Sequence, residues 1–360
     1  MVLHAIGLLC SAGDGAGPGG PGSETRLEPA WTLNAGGGPL PEPLLADAER
    51  AYFSSAGGVA AVDATTGEVL WSAEPSGGRV GRLYAVASGF VAIVHGDVVT
   101  GRDARDGALL WERSGVPTGS LIGEGDAFFA TDGEILAAYD AATGADRWRA
   151  AIAPGGFIAL YASGGIACVE RQTSPPFYSR VQCFDRADGA ERWSREVGSN
   201  QPWVAIAGNW VVVTAGEAAE SEEWMGLDAG TGETAWRAAG LPVEGLVVAP
   251  DGARVFGCGA GCLGVRAADG AELWRRETPA EAAPPAAMMV KLWVTERSGG
   301  DLWVLNTATG AVFQRLSEPV PTAPGFGFCG TPAAGEFSLY VFGCGGSLIA
   351  YSLLFQPLSD

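Results

Sequence analysis

A motif of eleven residues, Ala61-Val62-Asp63-Ala64-Thr65-Thr66-Gly67-Glu68-Val69-Leu70-Trp71, returns along this chain in weaker copies. A fixed period of this kind decides a fold before local propensity does. The motif's glycine recurs at Gly67, Gly107, Gly144, Gly189, Gly232, Gly270 and Gly310, at intervals of 40, 37, 45, 43, 38 and 40 residues. Asp stands four before it in five of the seven copies (Asp63, Asp103, Asp140, Asp185, Asp228), with Arg266 and Asn306 in the others. Trp stands four after it in six, at Trp71, Trp111, Trp148, Trp193, Trp236 and Trp274, and Gln314 takes that place in the seventh. The residue before the glycine is Thr or Asp every time.

Each position has a physical role. A strand such as Leu136-Ala137-Ala138-Tyr139 ends at an Asp that accepts backbone N–H groups in the following turn, and the glycine supplies a positive φ. The next strand carries a Trp whose ring spaces one unit from its neighbour and whose indole N–H needs an acceptor. Forty residues with turns every 8 to 12 hold four short strands, one propeller blade. The 55 Gly and 22 Pro among 360 residues fit many turns and exclude an all-helical chain.

The blades can be counted. Seven strands precede the seven turns, and an eighth, Leu348-Ile349-Ala350-Tyr351, has no turn or Trp after it. Trp31 stands 40 residues before Trp71 but has no strand before it. The sequence therefore predicts an all-β, eight-bladed propeller of four-stranded blades, in which residues 27–33 supply the outer strand of the last blade. That closure leaves no unpaired edge around the ring.

The Asp63 to Trp71 copy, with Ala61 and Glu68, resembles the tryptophan-docking motif of the PQQ-type repeat β-propellers. That group includes the quinoprotein alcohol dehydrogenases and BamB-like lipoproteins of outer-membrane assembly. The resemblance spans residues 27–355 and speaks to fold, since one fold hosts unrelated activities. The domain division is residues 1–25, a truncated signal or lipoprotein-like segment with a Gly/Pro-rich tether, and residues 26–356, a single propeller.

In residues 1–25 a short apolar run, residues 2–9, is followed by Cys10 and a Gly/Pro/Ser stretch. The resemblance implies a bacterial lipoprotein in which Cys10 is lipidated; the plain alternative is a free cysteine at a frayed end. The other six cysteines make three pairs. Cys168 and Cys183 are equidistant from Pro175-Pro176, Cys258 and Cys262 flank Gly259-Ala260-Gly261, and Cys329 and Cys344 remain by elimination. Disulfides imply an oxidising compartment, here the periplasm or cell surface and, by resemblance, the outer membrane. No apolar stretch reaches the length needed to span a bilayer as a helix.

The net charge of −19 repels polyanions, which argues against nucleic acid. One lysine, Lys291, and two histidines, His4 and His95, leave little for acid–base or imidazole–metal chemistry. The resemblance implies PQQ and calcium for an enzyme of this group, yet the vicinal Cys-Cys pair of those enzymes is missing and no cofactor residue can be placed by match. No catalytic, cofactor-binding or metal residue is assigned, and no cofactor is expected.

The seven motif turns have one length, so the variable loops lie on the opposite face, where recognition sits on a rigid scaffold. Residues 171–180 enlarge one hairpin and bring Arg171, Phe177, Tyr178 and Arg180; an acidic loop brings Glu217, Glu220, Glu222 and Glu223. The expected function is a non-catalytic cell-envelope scaffold for another envelope protein, monomeric as a propeller. A PQQ-dependent enzyme with a degenerate site, or a small-ligand sensor using the central channel, are the alternatives.

Overall fold

The computed structural model describes residues 27–34, 44–55, 58–73, 84–156, 158–172, 178–198, 202–215, 223–277, 282–296, 300–317 and 327–352. Among them are 32 strands and no helix, arranged as eight four-stranded antiparallel sheets. Blades 1 to 7 each use four consecutive strands, beginning at Leu44, Tyr84, Ser120, Ile158, Val204, Val243 and Ala286. Blade 8 takes three strands from the C-terminal region and its fourth, Pro29–Asn34, from the N-terminal region. That strand pairs antiparallel with Ser347–Ser352, so the closure expected from the sequence is found. The first strands of the blades pack side by side around the channel, and the ring closes where Phe328–Ala334 meets Leu44–Ala46.

Burial follows position in the blade. Second and third strands are covered on both sides, as in Phe90–His95 and Ile135–Asp140. Fourth strands are largely exposed but bury one Trp: Trp71, Trp148, Trp193, Trp236 and Trp274 are at most 8% exposed, and Trp31 and Trp111 are half-buried. The apolar clusters bridge neighbouring blades, for example Ile166, Cys168 and Cys183 of blade 4 with Val211, Val213 and Leu227 of blade 5. The core is therefore a ring of eight interfaces.

Each Trp locks one interface. Trp31, Trp71, Trp111, Trp148, Trp193, Trp236 and Trp274 donate Nε1–H to the carbonyls of Ala64, Ala104, Ala141, Arg186, Ala229, Ala267 and Thr307, at 2.8 to 3.0 Å. Every acceptor follows the Asp position of the next blade's turn, and its own N–H donates to the preceding first turn of the same blade, as Ala64 does to Glu49 O at 2.8 Å. The ring of the Trp lies on the turn glycine: a Cβ at Gly189 would fall 2.5 Å from Trp148. Gly189 thus has two constraints, a φ of 74° and a ring against its Cα. The Asp works as expected, with Asp63 Oδ1 accepting from the N–H of Thr65 and Thr66 at 2.9 and 2.8 Å.

Two features carried no sequence signal. Directly before each Trp position the fourth strand is bulged, skipping Ala30, Leu70, Leu110, Arg147, Arg192, Ala235, Leu273 and Phe313. A bulge twists an outer edge and guards it against pairing with another chain. Gln314, the one departure in the Trp column, faces no turn, because at the blade 7–8 seam the chain enters instead of turning. Its amide accepts from Leu27 N–H at 2.9 Å and donates to Leu27 O at 3.3 Å.

The three disulfides are Cys168–Cys183, Cys258–Cys262 and Cys329–Cys344. The first two join residues directly opposite on adjacent strands, with Cα atoms 4.1 and 4.2 Å apart. Among the described residues no helix is long and apolar enough to cross a membrane.

Candidate functional site

Strand alternation gives the propeller two unlike faces. One, the turn face, carries the Asp-to-Gly turns and the first turn of each blade, tied together by the hydrogen bonds above. The other, the loop face, carries the hairpins between second and third strands and the crossings between blades.

On the loop face, Tyr178 and Trp203 are exposed large aromatics, at 42% and 37%. Tyr178 lies in the hairpin of blade 4 before Ser179–Asp185, and Trp203 in the crossing from blade 4 to blade 5, directly before Val204–Ala207. Trp203 Nε1–H donates to Val243 O at 2.8 Å, which fixes the indole over the blade 5–6 boundary. Arg180 pairs with Glu196 at 2.7 Å and donates to Ser194 at 3.2 Å; Glu223 pairs with Arg237. Such exposed pairs contribute little to stability and can exchange for a partner's charges.

Sequence reasoning missed Trp203. Its signal was present, since it stands ten residues after Trp193 and outside the 40-residue register. Arg171, expected among the exposed loop residues, needs correcting: it is 4% exposed, and its guanidinium donates to the carbonyls of Gly133 and Gly155. Two carbonyls of neighbouring connections recruit it inward, so it ties blade 3 to blade 4. Phe177, Glu217, Glu220, Glu222 and Cys10 lie outside the described residues.

The electrostatics of the ring separate into two groups of opposite sign. The Arg105 guanidinium and backbone hold the Asp103 carboxyl down at about 2, and Arg147 does the same for Asp126. Glu170 is 1% exposed, faces the blade 4–5 interface between Ala159 and Val181, and is raised by burial, with the Ser179 hydroxyl as its polar neighbour. Depressed carboxyls add stability that is lost as pH falls from about 4 towards 2. The raised one does the reverse: the folded state keeps its proton while the unfolded chain releases it, so its contribution is complete below pH 4.5 and declines as pH rises. Glu170→Gln should flatten the fall in melting temperature above pH 4.5, measured in a buffer series; parallel curves for both proteins would contradict this.

Among the described residues there is no vicinal disulfide of the kind on which the quinone–calcium group implied by the resemblance would lie. The six described cysteines are joined in three separate blades, none to its sequence neighbour. Among the described residues no set of three His, Cys, Asp or Glu is placed to hold a metal ion. His95 is buried, and burial with the nearby Arg102 lowers its pKa. No catalytic step is derived from these groups.

Eight four-stranded blades, seven of them with a Trp docked on the following blade's turn, define a β-propeller of the PQQ-repeat type. The chain belongs to the family described as outer membrane protein assembly factor BamB, which matches residues 95–178, 178–325 and 221–353. No curated protein sequence matches it. Among solved structures, BamB from Moraxella catarrhalis is 14% identical with a TM-score of 0.65, covering 91% of this chain and 100% of that one. The computationally designed Ika8 protein is 15% identical with a TM-score of 0.70, covering 90% and 99%. Quinohemoprotein alcohol dehydrogenase from Comamonas testosteroni is 14% identical with a TM-score of 0.62, covering 93% and 77%. These likenesses are of fold, shared by an assembly factor, a designed protein and an oxidoreductase.

Proposed function

We propose that this protein is a non-catalytic scaffold of the bacterial cell envelope that binds another envelope protein through its loop face, in the manner of an outer-membrane assembly factor. The observation that carries the reading is the pair of exposed aromatics, Tyr178 and Trp203, on adjacent blades, flanked by the exchangeable charges of Arg180 and Glu223. Aromatic and Arg side chains held on rigid elements are the groups that dominate protein–protein binding energy. Family membership and three disulfides support an oxidising envelope location, the periplasm or cell surface. Cys10 is the candidate for a lipid anchor, and the propeller acts as a monomer.

Affinity capture from envelope extracts tests this. The wild-type chain should retain a reproducible envelope protein, and the double variant Tyr178→Ala, Trp203→Ala should lose it while keeping its melting temperature. Aromatic anchors of this kind contribute about 2 kcal/mol or more each, roughly thirty-fold in affinity. Equal capture by both proteins would remove the loop-face reading.

A further inference from the structure

The turn face carries a cavity that the scaffold reading does not use. At the mouth of the channel a space of about 600 Å³ lies among the first strands of blades 1, 2 and 3 and the turns that follow them. It is asymmetric for a reason in the sequence. A side chain at Gly123 would run into the Val86 carbonyl, so blades 2 and 3 approach closely there, and they pack more closely with each other than blade 2 does with the three-residue first strand of blade 1. The walls include Leu45, Val86, Leu121 and Ile122. A second space of about 420 Å³ continues outward between blades 1 and 2, sharing Asp47 and Gly89 with the first. Nothing lies within 4 Å of where a Gly89 side chain would start.

The charges along this groove are unequal in their availability. Arg50 is held by Glu49 at 2.8 Å and Asp47 at 3.6 Å, and Arg105 by Asp103 at 2.7 Å. Asp47 is occupied by the N–H groups of Glu49 and Arg50 and by the Tyr52 hydroxyl, at 2.6 to 2.8 Å. Glu124 differs. Its cationic neighbour, Arg186, stands 3.8 Å away and is already engaged by Asp126 at 3.2 Å and Gly164 O at 3.0 Å. An apolar pocket of ligand size with one under-compensated carboxylate selects an apolar body bearing a positive charge. The overall charge of −19 acts in the same direction, and a polycarboxylate would meet no uncommitted arginine among the lining residues.

We propose that the turn-face cavity of blades 1 to 3 binds an amphiphilic ammonium ligand, with the aliphatic part against Leu45, Val86 and Ile122 and the ammonium at Glu124. The site lies on the face opposite Tyr178 and Trp203, so its failure and that of the scaffold reading are separate results. The test is calorimetric titration of the full chain with n-octylammonium below its aggregation concentration, with octanoate as the charge-reversed probe and end-blocked Leu-Lys-Leu as the peptide form of the same chemistry. Saturable one-site binding of the amine, the peptide or both is expected, and which one binds identifies the source. Octanoate should show at least ten-fold weaker binding. Ser88→Trp, at an exposed wall position, should abolish binding, and Glu124→Gln should weaken the cation at least ten-fold while strengthening octanoate. Failure of both cations to bind overturns the proposal, as does octanoate binding equally well or full binding by Glu124→Gln.

Discussion

Trp148→Ala should lower the unfolding free energy by about 3–5 kcal/mol, the range for removing a buried large ring. The ring is 8% exposed, stands 5.9 Å from Phe129 between centroids, and covers Gly189 of the next blade. Truncation leaves a cavity between blades 3 and 4 and strips the Arg186 carbonyl of the indole donor at 2.9 Å. Trp148→Phe separates the two effects, because it retains most of the ring and loses only the N–H, and its loss should be intermediate. Equilibrium urea unfolding gives both numbers. A loss below 1 kcal/mol for the alanine variant would mean that the Trp row does not lock the blades. Trp203→Ala, on an exposed indole, serves as the contrasting case and should cost far less.

Removal of residues 27–34 should have the larger consequence. It deletes the outer strand of blade 8, the Trp31 dock on Ala64 O and the Leu27 clasp held by Gln314. It also bares the edge of Ser347–Ser352, a strand buried along most of its length, and a bare apolar edge pairs with another chain. The shortened protein should elute as oligomers, or melt on the order of 10 °C lower, which corresponds to several kcal/mol for a chain of this size. Light scattering after size exclusion and a thermal melt decide it. A monomer with an unchanged melting curve would show that the ring does not depend on its seam.

The parts of this architecture that side chains write are legible in the sequence. The 40-residue period gave the blade number, the Asp and Gly gave the turn, and an unaccompanied Trp31 gave the seam strand. What stayed hidden is carried by the backbone. The bulge before each Trp follows from strand register, and the tie from Ala64 N–H to Glu49 O joins two main chains that no residue type marks. Gln314 stood out as the one departure from the Trp column, but its own copy does not show that Leu27, distant in sequence, takes the place of a turn there. Arg171 was misplaced for a related reason: position in an enlarged hairpin says nothing about two carbonyls close enough to draw a guanidinium inside. Trp203 lies outside the register that accounts for seven tryptophans, and no repeat position marks it as exposed.

The seam also fixes a direction. The strand Pro29–Asn34 runs, like every fourth strand, from the turn face to the loop face, so the chain reaches Leu27 on the turn side. Leu27 therefore stands at one pole, while Tyr178 and Trp203 stand at the other. Anything joined at Leu27 would leave the aromatic pole on the far side of the ring from the point of attachment, with the cavity of blades 1 to 3 on the near side.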